Sequence, residues 1–479
     1  MGRTATKKGT SAPTEWGWAA QELRYADLGD ARWNRRLINL VAALADQPTS
    51  SVPEACGDWA AAKGAYRFWS SDQVSVAAIQ EAHGRSTVER VKEHEWVLAI
   101  QDTTSLDFTD HPATQGMGTL DHPACRGLKV HSVLMASTQG VPLGIIHQEV
   151  WSRDPATLGK KHQRRSKATR DKESQRWLSA LERTQESCPE ETKVITVADR
   201  EADIYDFLAA PRQPGAELLV RGTYNRRVDH EARYLWDAMD QSPVGGKFTI
   251  TLRRRDNQAA RSATLTLRYQ TLAIQPPQHR RAKERLDPVE VAVILAQEES
   301  PPPGIEPVRW LLFTTLAVNT FQEAAQCLRW YSYRWLVERY HFVLKSGCNL
   351  EKLQLEEGQR IHRALATYSI VAWRLLWITY QAREDPESSC AGVLETHEWQ
   401  SLYCTVHRTP TPPERPPTLQ EAVRWIARLG GFLGRTHDGH PGVKTIWRGL
   451  RRLHDIANTW KLLHPDIQDH AVYGFMGNA

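Results

Sequence analysis

Six residues in this chain have types and spacing suited to phosphate chemistry. Asp102 closes the apolar run VLAIQD, and Asp199 closes VITVAD. The stretch YSYRWLVERYHFVLKSG at 331–347 sets Tyr331, Arg334, Glu338 and Lys345 at offsets of 0, 3, 7 and 14. At about 100° per residue these four share a helical arc of roughly 60°, a line about four turns long. Three carboxylates without thiols or imidazoles are hard oxygen ligands suited to Mg²⁺ or Mn²⁺. Two such ions about 4 Å apart can assist both the attacking and the leaving oxygen of a phosphodiester displacement. On this reading the glutamate serves metal, and the cations beside it serve phosphate. A bland reading stands next to it. Strand-end carboxylates also cap helices, and Arg334 with Glu338 can be a solvated i, i+4 pair worth a few tenths of a kcal/mol.

The chemistry requires elements that bring distant acids together. WVLAIQDTTSLDF (96–108), VHSVLMAS (130–137) and PLGIIHQEVW (142–151) read as strands, followed by a helix near 173–187. KVITVADRE (193–201) and ELLVRGT (217–223) add two more strands. The order βββαβαβ predicts an α/β fold with a mixed sheet flanked by helices. If the strands bearing Asp102 and Asp199 are neighbours, their carboxylates converge at one rim. Residues 224–315 interrupt this pattern with KFTITLRRR, SATLTLRYQTL, VEVAVILAQ and RWLLFTTL, read as a β-rich insertion. Helix returns from Thr320 to about 380.

The outer regions read as helical. Leu37, Val41 and Leu44 recur at helical spacing, and Ser51 and Ser71 are candidate helix starts. The expected domains are 1–79, helical with a disordered tail over 1–14; 80–382, containing the sheet and the insertion; and 383–479, a Pro/Ser/Glu-rich linker to 417 followed by helices.

Composition narrows the function classes. The 479 residues carry a net charge of +5, with local concentrations of cations. Residues 160–172 hold seven Lys/Arg, and 247–285 hold ten against Asp256 and Glu284. Such patches suit a polyanion or a solvated loop. Seven scattered cysteines with no CxxC pair predict reduced thiols in a cytosolic protein without a zinc ribbon. No apolar signal segment begins the chain, and the apolar run YSIVAWRLLWITY at 368–380 is too short to span a bilayer. No GxxxxGK[ST] loop is present, and GMGTLD at 116–121 lacks the third glycine of a dinucleotide fingerprint, so no nucleotide cofactor is expected.

The spacing Y-x2-R-x3-E-x6-K, with the blocks QDTTSLDF, VHSVLM, HQEVW, DREADIYDF, RWLLFTT and ARLGGF, resembles bacterial insertion-sequence transposases of the DDE class. The resemblance is to the insertion-sequence-four group, in the branch that includes the composite kanamycin-resistance transposon, and covers nearly the whole chain from Trp16. It implies a ribonuclease-H-like core with an inserted β region, and a cut-and-paste reaction on DNA through a hairpin intermediate. It further implies Asp102, Asp199 and Glu338 as the catalytic, metal-binding triad for Mg²⁺, with Mn²⁺ able to substitute. Tyr331, Arg334, Lys345 and Arg221 are then phosphate contacts, and Trp310 a platform for a flipped base. A strand-core role for Trp310 is equally compatible with the apolar WLLF. Arg36 and Arg67 match basic contacts of an N-terminal domain that binds transposon ends, and the C-terminal helices match a homodimerisation region. Two rivals share these features: a structure-selective nuclease, and an inactive protein that only occupies DNA ends.

Overall fold

The computed structural model describes residues 17–155, 169–252, 261–281, 284–436 and 438–465. The expected tail over 1–14 and most of the basic 160–172 loop lie outside the described residues. The chain divides into two compact units: 87–112 with 116–341, and 1–86 with 113–115 and 342–479.

Among its described residues the first unit has ten strands: β1 (Trp96–Asp107), β2 (Gly118–Thr119), β3 (Arg126–Ser137), β4 (Pro142–Trp151), β5 (Lys193–Ala198), β6 (Ala216–Gly222), β7 (Val244–Leu252), β8 (Arg261–Ile274), β9 (Val289–Glu298) and β10 (Arg309–Thr314). They form one sheet in the order β2-β3-β1-β5-β6-β10-β9-β8-β7, with β4 also paired to β3. β1 is antiparallel to β3 and parallel to β5, and β5 is parallel to β6. The arrangement β4-β3-β1-β5-β6 is a mixed sheet, as the strand order predicted, and is consistent with the ribonuclease-H-like core that the resemblance implied. Burial explains the central position of β1: Val97, Leu98, Ala99 and Ile100 are fully enclosed, as expected for a strand covered on both faces.

The region 224–315 is β-rich, as its sequence pattern indicates, and its strands extend the core sheet. β10 is antiparallel to β6, with Leu312 opposite Arg221, and β9, β8 and β7 follow outward. Pairing between strands so distant in sequence is decided by which edge is open, which local patterns do not record. One sequence reading is corrected here, that of 331–347 as one helix. One helix (Phe321–Ser332) ends there, a second runs Trp335–Phe342, and a π-helical turn covers Val343–Gly347. At the break the backbone closes short i→i+3 bonds, from Tyr333 N–H to Trp330 O and from Leu336 N–H to Tyr333 O. The Tyr333 side chain packs on Gly140, where a Cβ would stand 2.5 Å from its ring. Gly140 has φ of +89° in the β3–β4 turn, a conformation that glycine adopts readily.

The second unit is helical among its described residues. Helix Ala31–Asp46 buries Leu37, Leu40, Val41 and Leu44 and starts on the Asp30 side-chain cap. Ser51 caps a helix as expected, whereas Ser71 ends one (Trp59–Ser70). Within 383–417, read as linker, lies the helix Thr396–His407. The longest helix, Gly358–Glu384, is buried along most of its length. No described helix is long and apolar enough to cross a membrane. All seven cysteines are free.

Candidate active site

Strand register sets the first two acids. Ile100 is level with Val197 across the parallel β1–β5 pair. Asp102 and Asp199 each lie two residues further, close enough for the Asp199 charge to act on Asp102. Asp102 does not end its strand: β1 runs on to Asp107, paired only with β3. It marks the place where β5 stops. Asp199 does follow the end of β5, and its Oδ1 accepts the Glu201 N–H at 2.7 Å.

Helix Trp335–Phe342 brings the third acid. Its Tyr340 hydroxyl accepts from Gln148 Nε2 on β4 at 3.0 Å, and His341 Nε2 is 3.3 Å from Ser132 Oγ on β3. His341 Nδ1 stands 3.9 Å from Asp102 Oδ2. The helix is therefore fastened to the sheet beside Asp102, with Glu338 one turn earlier. Arg334 Nη2 donates to Glu338 Oε1 at 2.6 Å.

These acids sense one another. Burial pushes the Asp102 carboxyl up to about 7, the charge of Asp199 adds to it, Arg334 opposes it, and Glu338 adds a smaller push. Burial and Asp199 likewise raise Glu201. Among the described residues no three Asp, Glu, His or Cys side chains stand close enough together to coordinate a cation. The donor chemistry nevertheless fits a hard divalent ion: an almost buried carboxylate flanked by like charges is what a counter-cation relieves.

Tyr331 and Trp310 meet edge to face at 5.9 Å. The Tyr331 hydroxyl is buried with no hydrogen bond of good geometry, although the Arg221 guanidinium is near enough to interact with it. Burial pushes the hydroxyl's pKa up, while the nearby Arg334 and Arg221 charges oppose that. Tyr331, Arg334, Arg221 and Trp310 thus gather with Asp102, Asp199 and Glu338 in one unit. Lys345 belongs to the other unit, on the π-helical turn, 3.7 Å from Glu351. Arg36 and Arg67 are also in that unit. Arg36 lies against Gly64, and Arg67 is exposed in the last turn of helix Trp59–Ser70.

Sequence reading passed over His341 and Glu201. Both carried a signal, being three residues after Glu338 and two after Asp199.

Residues 15–74 match the family model for transposase DNA-binding, and residues 370–461 match that of the transposase Tn5 dimerisation domain. The chain therefore carries segments of transposase type at both ends of its length. Together they support a Tn5-like transposase that binds DNA and self-associates.

Proposed function

We propose that the chain is a cut-and-paste DNA transposase acting through a DNA hairpin. The observation that carries the reading is the level placement of Asp102 on β1 and Asp199 just past the end of the adjacent β5, with Glu338 in electrostatic reach. Asp102, Asp199 and Glu338 would hold Mg²⁺, or Mn²⁺ in its place. The bound ions supply Lewis-acid stabilisation of charge on the attacking and leaving oxygens. For Glu338 to join, its carboxylate leaves Arg334, and that guanidinium is freed for a DNA phosphate.

The remaining residues bind and orient. Arg334, Arg221 and Lys345 neutralise backbone phosphates, and Tyr331 offers its buried hydroxyl to one. Trp310, only partly covered, presents a ring face to an unstacked base. Arg36 and Arg67 contact the transposon end, and two copies of the chain pair through the C-terminal helices. The reaction needs four displacements at phosphorus. Water nicks one strand, the released 3′-hydroxyl attacks the opposite strand, water reopens the hairpin, and the 3′-hydroxyl joins target DNA. Each forms one P–O bond and breaks another, so a single set of side chains can serve all four.

The test is incubation of purified protein with Mg²⁺ and duplexes carrying the native ends. Hairpins and inserted products are expected. Asp102→Ala, Asp199→Ala and Glu338→Ala should each abolish both while leaving end binding intact. Activity surviving in these variants counts against the triad, and cleavage without strand transfer points to a nuclease.

A further inference from the structure

Trp59 is 78% exposed at the first position of helix Trp59–Ser70. The helix does not need it for packing, because Ala62, Ala65, Phe68 and Trp69 form its buried face. The Trp59 side chain makes no ring contact or hydrogen bond among the described residues. Lys63 and Arg67 follow it at intervals of four, all three exposed. At about 100° per residue they occupy an arc of roughly 80°. Arg36 adds a further cation across the same helix at Gly64, where a Cβ would stand 1.5 Å from its Nη1. Asp58, the adjacent acid, is turned onto its own helix end, accepting the Ala61 N–H at 2.8 Å.

An open indole beside three cations calls for a partner that is both anionic and flat-faced. A second copy of this edge would oppose like charges. Duplex DNA offers phosphates for the cations, and sugar and base edges for the ring. Trp59 and Arg67 are about 12 Å apart along the axis, comparable to the width of a major groove. This stretch also lies inside the segment that matches transposase DNA-binding. We propose that Trp59 docks its indole in a groove of the bound DNA while Lys63 and Arg67 hold the bordering phosphates. The inference rests on the transposase reading for its partner and adds a contact that salt does not screen.

The experiment measures binding of the full chain to a short fluorescent duplex carrying one native end, across a range of salt. Trp59→Ala should weaken binding about tenfold, with an unchanged melting temperature. Its slope of log affinity against log salt should equal that of the wild type, because no phosphate contact is lost. Lys63→Ala should flatten that slope by about 0.9. Trp59→Phe should recover most of the affinity. Wild-type affinity in Trp59→Ala at every salt overturns the inference alone, as does a changed oligomeric state with DNA affinity intact. A wild-type chain that binds no duplex overturns the transposase reading together with it.

Discussion

Asp102, within β1, and Asp199, just past the end of the parallel β5, lie at one level, each two residues beyond the paired Ile100 and Val197. Asp102 is nearly enclosed there, 18% exposed, and its carboxyl is pushed up to about 7 first by burial and then by Asp199. The ordinary value is 3.8. Without a cation the folded chain keeps a proton that the unfolded chain releases between these values. Stability from this group is therefore present below about pH 4 and lost as pH rises to about 7. Asp102→Asn, which cannot ionise, should be more stable than wild type at pH 8 in chelator, by up to about 4 kcal/mol. The gap should close at pH 4, and Mg²⁺ at pH 8 should narrow it by stabilising only the wild type. Thermal melts under these conditions check it; a gap independent of pH contradicts it.

Tyr331 carries a buried hydroxyl with no hydrogen bond of good geometry, the Arg221 guanidinium being near enough to interact with it. Removing such a group relieves a desolvation cost of about 1–3 kcal/mol. Tyr331→Phe should thus melt no lower than wild type in the absence of DNA. If the hydroxyl grips phosphate, the same variant should cleave transposon ends more slowly. A drop in melting temperature shows that the hydroxyl is already satisfied.

Arg363 is 8% exposed and ties a loop to helix Gly358–Glu384. It donates to Val74 O at 3.0 Å, to Trp69 O at 3.1 Å and to Asp72 Oδ1 at 2.8 Å. Arg363→Met keeps the volume and leaves two carbonyls without these donors. A loss of about 3 kcal/mol is expected in denaturant titrations.

Gly64 leaves room for the Arg36 guanidinium. In Gly64→Ala the flexible end of Arg36 must move, which is inexpensive, and helix propensity gains about 1 kcal/mol. Stability should hold or rise while affinity for duplex DNA falls, measured side by side on one preparation. Unchanged affinity means that the position of Arg36 is irrelevant to DNA.

The core strands were legible because β-branched apolar runs such as VITV have one plausible use. Asp199 was placed correctly for the same reason. The segment 331–347 was not, because periodicity assumes an unbroken helix and no proline or internal glycine marks the break before Trp335. Tyr331 and Glu338 do reach one site, but from two helices joined by a tight turn. Lys345, assigned to the same face by arithmetic, falls on a π-helical turn whose extra residue no side chain announces. His341 and Tyr340, which fasten the helix to β3 and β4, became visible only with the strands they touch.

The junction of β6 with β10 constrains how this architecture can be trimmed. Arg221 and Leu312 are register partners across the antiparallel β6–β10 pair, so β6 has no free flank. A shortened chain lacking 224–315 would bare the amides and carbonyls of β6 as an adhesive ribbon. Such a minimal version should clump instead of yielding a smaller nuclease, and lineages that lost the inserted strands would have needed another cover for that flank.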